Sequence, residues 1–550
     1  MKQIVECVPN FSEGRDMVIV GKITDEIKKI DGVELLDVDP GKDTNRTVVT
    51  MAGEPDVVVE AAFQAIKKAG EVIDMSKHSG AHARMGATDV CPFVPVSGIT
   101  MVECVELAKK LGKRVGEELN IPVYLYAEAA QQENRRRLPD IREGEYEAMA
   151  EKLKDDSFKP DYGKAEFNSK SGVTAIGARG FLIAYNVNLN TKDTKIANKI
   201  AKRIREKGRT VKNKKTGIRE TIPGSLKGVQ GMGWYIDEYN MAQITVNILD
   251  FKTTPIYRVF EECEKYANEF GVRVTGSELV GLVPLEAMLD TGIHVITKQG
   301  GSIGASEEEI VRIAVQTLGL NEISEFNIAE RIIEYKLSKP GTLVSMKLDE
   351  FSNELASDSP APGGGSVAAL NGSLSASLSA MVGNLTYSKR KYKEVKQEMI
   401  DASVKGQQLK MFFLDAIDKD TDAFNKIMDG FALPKKSDEE KIIRDKAILE
   451  ATKEATLVPF SVLEKTKEAA KIALITTEKG NQNSLSDAGV AGLTAQSAAE
   501  GAFYNVMINL EDITDEEFKD KIKNEAIKIN NEVKEITEKT RQILYKRFGL

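Results

Sequence analysis

The sequence predicts a multidomain protein: an α/β (α+β) half made of two sheet-and-helix subdomains, followed by an all-α half folded as a helical bundle. Three observations predict it. The chain has 550 residues, too many for a single hydrophobic core. Short β-rich runs alternate with helical periodicity up to about residue 335, whereas residues 346–550 are helical in pattern almost throughout. A polar, glycine-containing stretch, Asp161–Gly177, then divides the first part in two. The expected organisation is one subdomain over 1–180, a second over 181–335, a linker over 336–345 and a helical domain over 346–550.

Taken in order, the strand candidates are Ile4–Val8, Val33–Val38, Arg46–Ala52, Val90–Val96, Val123–Leu125, Gly180–Leu189 and Gln243–Asp250. Helical periodicity marks Glu60–Ala69, Met101–Leu111, Asp193–Glu206, Ile256–Phe270 and Glu308–Gly319. In the second half it marks Leu348–Ala356, Gly365–Leu385, Tyr392–Met428, Asp438–Val458, Pro459–Thr476, Ser486–Asn509 and Glu516–Arg547. Ser359-Pro360-Ala361-Pro362-Gly363-Gly364-Gly365 interrupts them, because no helix runs through two prolines and three glycines.

Composition narrows the function classes. Hydrophobic and charged fractions of 41% and 29% are those of a soluble globular protein. A net charge of −8 argues against a general nucleic-acid binder, yet allows a local basic groove. No apolar run is long enough to span a bilayer, and Met1–Cys7 starts as a strand without a charged-then-apolar leader, so no membrane partner and a cytoplasmic location are expected. Cys7, Cys91, Cys104 and Cys263 show no metal-like or paired spacing and read as reduced thiols.

The segment from Lys77 to Phe93 holds two of only three histidines, His78 and His82, among small and polar residues. Random placement would bring two histidines this close roughly 4% of the time, so composition alone does not explain the pair. Their spacing would suit two metal ligands on a helix, but Gly80 and Gly86 oppose a helix and no third ligand is evident. General acid–base catalysis and a plain surface loop are the other readings, and residue chemistry does not choose between the two histidines. Nearby, Asp37-Val38-Asp39-Pro40-Gly41-Lys42-Asp43-Thr44-Asn45-Arg46 reads as a polar loop between strands. From it Asp39 could orient an imidazole; a solvated Pro-Gly turn is the alternative. Asp161–Gly172 could bring backbone close to a ligand, but lacks phosphate-loop and dinucleotide spacings. The basic run Lys192–Arg219 reads as a solvated face, or as an attractor for an anionic tail.

Several segments resemble glutamate formimidoyltransferases: Val5-Glu6-Cys7-Val8-Pro9-Asn10-Phe11-Ser12-Glu13-Gly14, Thr44-Asn45-Arg46-Thr47 and the histidine segment. Val123-Tyr124-Leu125-Tyr126, Gly231-Met232-Gly233-Trp234-Tyr235 and Leu279-Val280-Gly281-Leu282-Val283-Pro284 do so too. The resemblance runs through residues 1–335. It implies two α/β subdomains clasping a folate, and transfer of a formimino group from N-formimino-L-glutamate to N5 of tetrahydrofolate. It places the catalytic histidine at His82; Asp39, read from the residues themselves, is the carboxylate expected to hold its tautomer. The implied folate contacts are Gly163, Lys164, Ala165, Glu166, Phe167, Asn168, Ser169, Lys170, Ser171 and Gly172; Arg46 and Arg84 are further candidates for binding substrate or folate. One imidazole can accept the N5 proton and return one to the leaving glutamate nitrogen.

In the helical half, Pro362-Gly363-Gly364-Gly365-Ser366 precedes a small-residue helix whose exposed N–H groups favour an anion; a flexible turn is the alternative. Asp415, Asp418 and Asp422 share one helical face, while Asp420, four before Phe424, falls beside the buried stripe. Asp487 follows a possible cap, Ser486. These segments, with Asn505-Val506-Met507-Ile508-Asn509-Leu510, resemble formimidoyltetrahydrofolate cyclodeaminases over residues 346–550. That implies an all-helical, dimer-forming domain that closes 5-formimino-tetrahydrofolate to 5,10-methenyl-tetrahydrofolate with loss of ammonia. The catalytic aspartate falls on Asp420, or on Asp418 if the alignment slips by two residues. The further implied contacts are Gly364, Gly365, Ser366 and Asp487. Together the halves imply a bifunctional enzyme of histidine degradation and one-carbon metabolism, a homo-oligomer built on dimers. Tetrahydrofolate, with a polyglutamate tail, would be cosubstrate, and no metal or redox cofactor is implied. The alternatives for the helical half are a methenyl-tetrahydrofolate cyclohydrolase and a non-catalytic oligomerisation scaffold.

Overall fold

A computed structural model of the chain describes residues 3–42, 44–80, 83–212, 218–337 and 341–550. It divides into two compact units, Met1–Thr291 with Val315–Ser338, and Gly292–Ala314 with Lys339–Leu550. Segment 292–314 thus packs with the helical unit although it precedes the expected linker.

The first unit opens with a seven-stranded mixed sheet of β1 (Ile4–Cys7), β2 (Asn10–Phe11), β3 (Val33–Gly41), β4 (Arg46–Gly53), β5 (Thr88–Ser97), β6 (Val123–Ala127) and β7 (Thr174–Ala178). β1 and β2 are two pieces of one broken strand, both lying between β4 and β5, with β3 outside β4 and with β7 then β6 beyond β5. Pro9 between the pieces has no N–H to donate, while its carbonyl accepts from Val49 N–H at 3.0 Å. The β5–β7 and β7–β6 pairs are parallel, and the rest are antiparallel.

One face of this sheet is covered by α1 (Met17–Lys28), α2 (Pro55–Val72) and α3 (Met101–Glu118). Val5, Val49, Met51, Phe93, Val123 and Ile176 meet Ile23, Phe63, Ile66, Leu111 and Val115 there. Alternate residues Val90, Tyr124, Tyr126 and Ala175 point to the other face. There they pack on Ile141 of α4 (Leu138–Arg142) and Met149 of α5 (Glu145–Lys152). Cys7 and Cys91 meet across β1 and β5 with their sulfurs 3.5 Å apart, and all four cysteines are buried free thiols.

A second, antiparallel sheet runs β11 (Val229–Ile236), β12 (Met241–Ile248), β8 (Ile183–Leu189), β13 (Val274–Val280), accompanied by the β9 (Arg209–Lys212)–β10 (Arg219–Ile222) ribbon. Alternate residues Tyr185, Val187, Ile244, Val246 and Ile248 are fully buried. α6 (Thr194–Ile204) and α7 (Ile256–Glu269) supply Ile200, Ile204, Val259 and Cys263 to the buried set. The division between the two units falls within α8 (Leu285–Lys298) and α9 (Glu307–Leu318); α10 (Ile328–Arg331) and α11 (Ile333–Leu337) follow.

Besides segment 292–314, the helical unit contains α12 (Leu348–Leu355), α13 (Gly364–Tyr387), α14 (Lys396–Ala432), α15 (Asp438–Lys479), α16 (Leu485–Glu511) and α17 (Glu516–Phe548). α13 is its centre. Its small residues let neighbouring helices approach closely and antiparallel, with Ser375 Oγ donating to the Ala491 carbonyl at 2.8 Å and Asn481 N–H donating to Thr386 Oγ1 at 2.9 Å.

The expected break at Pro459 does not occur, and α15 runs through it. Proline at 459 cannot donate to the carbonyl of Ala455, four residues back. Asn509 of α16 donates to that carbonyl instead, Nδ2 to O at 2.9 Å, so the orphaned acceptor is satisfied and the helix continues.

Among the described residues no helix is long and apolar enough to cross a membrane.

Candidate active sites

The first centre is assembled from segments far apart in sequence. Ser12 N–H donates to the Ala87 carbonyl at 2.9 Å, and its hydroxyl to the Gly86 carbonyl at 2.7 Å. Asn45, held at φ 48°, accepts from Gly14 N–H at 3.1 Å and donates to the Ser79 carbonyl at 3.0 Å. Three motifs far apart in the sequence, 5–14, 44–47 and 77–93, are therefore one knot of hydrogen bonds holding the two ends of the histidine segment.

Within that knot His78 is committed. Its Nε2 donates to the Asn45 carbonyl at 2.9 Å, and its Nδ1 accepts from Arg84 Nε at 3.3 Å. These partners assign the ring proton to Nε2 and occupy both nitrogens. His82 lies outside the described residues, as do Ala81 and Asp43.

Arg84, expected at the folate, is buried and forks onto Glu147 at 2.6 and 2.8 Å with a third bond to Glu145 at 2.7 Å. In this structure it ties the histidine segment to α5. Asp39 is not in a loop: β3 extends to Gly41, and Asp39 is an exposed strand residue paired with Val48. The strand continues because β4 supplies a partner for every residue from Asp37 to Gly41.

The stretch 161–172 folds against the same segment. Ala87 N–H donates to the Ser171 carbonyl at 2.8 Å, flanked by bonds from Met75 N–H to the Lys170 carbonyl at 2.9 Å and from Val173 N–H to the Met85 carbonyl at 3.1 Å. Asn168 closes the turn by accepting from Lys170 and Ser171 N–H at 3.1 and 3.0 Å. Lys170 Nζ donates to the Glu71 carbonyl, Tyr146 hydroxyl to the Ser169 carbonyl, and Phe167 stacks on Tyr146 at 5.3 Å. Gly163 and Gly172 have φ of 80° and 67° and lie against Ile121 and Met85 backbone. The close backbone approach expected toward a ligand is, at these two glycines, an approach of the chain to itself. Lys164, Ala165 and Glu166 are exposed.

A charged cluster that no sequence motif marks lies on the second face of the first sheet. The pairing of β2 with β5 skips a residue between Val90 and Thr88, which makes Asp89 the extra residue of a β-bulge. Asp89 is fully buried, accepts from Met85 N–H at 3.0 Å, and pairs with Arg142 at the end of α4. Burial pulls the nearby Arg46 guanidinium below its usual value; Asp89 opposes this and Arg142 adds to it. Glu6 of β1 is pushed by burial up to about 7, with Arg179 opposing.

On the second sheet Trp234 Nε1 donates to Gln243, Gln243 to Asn188, and Asn188 to Glu322, at 3.1, 2.8 and 2.7 Å. Beside it a cavity of about 730 Å³ is lined by Arg205, Lys207, Gln230, Met232, Thr245 and Asn247.

The second centre lies in the helical unit. Asp420 of α14 sits at the first turn of α13, where Ser366 Oγ reaches its Oδ2 at 3.3 Å and the Ile417 carbonyl at 2.9 Å. A side chain at Gly365 would stand 2.1 Å from Asp420 Oδ1, so only glycine admits the carboxylate there. Burial raises the Asp420 carboxyl above the ordinary aspartate value, and the side-chain and backbone hydrogen bonds from Ser366 draw it back. Asn505 of α16 borders Gly364; its Nδ2 donates to the Gly501 carbonyl at 2.8 Å.

Asp418 is used otherwise, accepting from Leu343 and Val344 N–H at 2.9 and 3.2 Å. Asp487 is in the first turn of α16, whose cap position is Ser484 rather than Ser486. At about 1.5 Å per residue it is about 27 Å along the helix from Asn505, so the chain does not bring it to Asp420. Asn505 had a signal in the Asn-Val-x-Ile-Asn-Leu pattern, whereas Asp89 and Arg142, distant in sequence, had none as a pair.

A histidine segment braced on a mixed sheet, and a half-buried aspartate at a helix start on a separate helical unit, make two candidate catalytic centres, the arrangement of a two-site enzyme. Residues 4–179 match the formiminotransferase domain, N-terminal subdomain; 184–338 match the formiminotransferase domain; and 347–528 match formiminotransferase-cyclodeaminase. The formimidoyltransferase-cyclodeaminase of Gallus gallus is 44% identical over 551 residues, covering 100% of both chains. The glutamate formimidoyltransferase of Thermoplasma acidophilum is 46% identical over 299 residues, 54% of this chain and 93% of its own. The methenyltetrahydrofolate cyclohydrolase of Methylorubrum extorquens is 40% identical over 171 residues, 31% of this chain and 82% of its own. The chain belongs to the formimidoyltransferase-cyclodeaminase family.

Proposed function

We propose that the chain performs two consecutive reactions on one folate. It transfers the formimino group from N-formimino-L-glutamate to N5 of tetrahydrofolate, then closes 5-formimino-tetrahydrofolate to 5,10-methenyl-tetrahydrofolate with release of ammonia. The structural observation that carries the second step is Asp420, partly withdrawn from water and aimed at the start of α13 by Gly365.

In the transfer step N5 attacks the amidine carbon, and His82 takes the N5 proton and returns one to the departing glutamate nitrogen. Occupation of both His78 nitrogens supports this choice of histidine. Asp39 holds the His82 tautomer, and the 163–172 stretch with Arg46 borders the folate. In the cyclisation N10 attacks the same carbon; Asp420 accepts its proton and helps protonate departing ammonia, with Gly364, Gly365 and Ser366 lining the site. A carboxyl raised by burial suits both duties. The folate carries a polyglutamate tail, for which the cavity bordered by Arg205 and Lys207 offers positive charge. The enzyme works in the cytoplasm as a homo-oligomer built on dimers.

The similarity to a methenyltetrahydrofolate cyclohydrolase supports a second reading of the helical unit, as a hydrolase of the methenyl product. Ammonia and methenyl absorbance followed together on supplied 5-formimino-tetrahydrofolate separate the two. One ammonia per methenyl formed is expected. Methenyl hydrolysis with no ammonia from the formimino substrate would overturn the cyclodeaminase, and neither reaction with dimers intact would leave a scaffold.

A further inference from the structure

The run Gly231-Met232-Gly233-Trp234 has no part in the chemistry above, yet it puts two large apolar side chains on the surface. β11 is an edge strand of the second sheet, and Met232 and Trp234, on one of its faces, are 54% and 39% exposed. Gly233 between them faces α6. A Cβ there would stand 2.3 Å from Asn198 N, and the Asn198 side chain clamps the strand, donating to the Gly233 carbonyl at 2.9 Å and accepting from its N–H at 3.1 Å. The indole is fixed as well. Its N–H is held by Gln243, fully buried and itself tied to Asn188, so one ring edge is pinned while the rest stays accessible. No aromatic ring of the described residues stacks on it.

Three successive cross-strand pairs share this face: Gln230 with Asn247, Met232 with Thr245, and Trp234 with Gln243. The first two pairs line the cavity of about 730 Å³, together with Arg205 and Lys207. Arg205 is held by the Gly208 and Gly231 carbonyls at 3.2 and 3.1 Å, and neither cation pairs with a carboxylate among the described residues. Glu206, also in the lining, accepts from Gly228 N–H at 3.0 Å. From Trp234 to Gln230, about 14 Å of strand, the face thus changes from aromatic through thioether to amide, in a cavity that carries two cations.

We propose that the p-aminobenzoyl ring of the folate stacks on Trp234, against Met232, with its glutamate tail passing Gln230 and Asn247 to Arg205 and Lys207. The proposal rests on the transferase function above and makes Trp234 a residue that sets its specificity for folate. Each part of the face meets its complement: indole and thioether an aromatic ring, amides the peptide-like links of the tail, cations its carboxylates. The folate has a ring joined directly to an acidic tail, whereas N-formimino-L-glutamate has no ring to lay on the indole.

Trp234 is the chain's one tryptophan, so its emission in the full chain reports the site directly. p-Aminobenzoyl-L-glutamate, which lacks the pterin, quenches it saturably, p-aminobenzoyl-triglutamate does so at about ten-fold lower concentration, and N-formimino-L-glutamate leaves it unchanged. In steady-state kinetics Trp234→Leu raises the KM for tetrahydrofolate about ten- to hundred-fold, while Trp234→Phe, which keeps a ring, raises it less than about five-fold. Both variants leave the KM for N-formimino-L-glutamate within about two-fold. Ammonia release from supplied 5-formimino-tetrahydrofolate, catalysed in the helical unit, stays unchanged and reports a folded chain. Absence of quenching by either fragment, or a KM for tetrahydrofolate unchanged in Trp234→Leu, overturns the proposal. So does an altered oligomeric state with that KM unchanged, which assigns the face to a second copy of the chain. A wild-type chain that is quenched by the fragments but transfers from no formimino donor overturns instead the function on which the proposal rests.

Discussion

Two aspartates two residues apart, on one helix, have opposite fates. Asp418 accepts two backbone N–H groups of the 341–346 turn, whereas Asp420 is half-buried with a hydroxyl beside it. Which of them points where follows from helical phase, 200° apart for two residues, and that much was legible in the sequence through Phe424. His78 was not legible, because its ties to Asn45 and Arg84 are made by tertiary contacts. Glu6 shows the same limit: it alternates with apolar neighbours on β1, and nothing local says that it is buried. With its carboxyl raised from 4.5 to about 7, the folded chain keeps a proton that the unfolded chain has lost between those values. Its contribution therefore becomes less favourable as pH rises through that window and is constant above it. Glu6→Gln abolishes the effect, so the variant gains up to about 3 kcal/mol on the wild type between pH 4.5 and pH 8. Thermal unfolding of the first unit across that range checks this; a difference independent of pH would contradict it.

Helices of the second half were read from sequence to within a few residues at most ends, because long apolar periodicity is a strong signal. Strands fared worse for physical reasons. β7 is Thr174-Ala175-Ile176-Gly177-Ala178, too small in side chains to read as a strand, and β11 carries Gly231 and Gly233. Pro459 misled in the other direction, since its partner Asn509 is fifty residues away. Pro459 and Asn509 are interdependent. Asn509→Ala strands the Ala455 carbonyl and lowers stability by about 1–3 kcal/mol. In a Pro459→Ala background, where the backbone bond is restored, the same change costs under about 1 kcal/mol. A double-mutant cycle by denaturant unfolding checks it, and additive effects would contradict the assignment. The Asn-Val-x-Ile-Asn-Leu pattern thus holds two asparagines with different work: Asn505 borders the site, and Asn509 repairs a helix.

At the scale of the whole molecule, the two halves expected from sequence correspond to two compact units, with segment 292–314 exchanged into the helical one. That exchange had no compositional signal, since the segment is the end of α8, a glycine-containing loop and the start of α9, whose partner is set by packing. Under the function proposed above the two reactions share a folate intermediate, and a tethered second site would raise the effective concentration of what the first releases. The central claim is that the two sites are chemically independent, one resting on His82 and the other on Asp420. Both half-reactions should be measured on full-length His82→Ala and Asp420→Asn. The account predicts that His82→Ala loses formimino transfer by a factor of about 10²–10⁴ and still releases ammonia from supplied 5-formimino-tetrahydrofolate; Asp420→Asn does the reverse. Loss of both activities in either folded variant, or retention of ammonia release in Asp420→Asn, would contradict it.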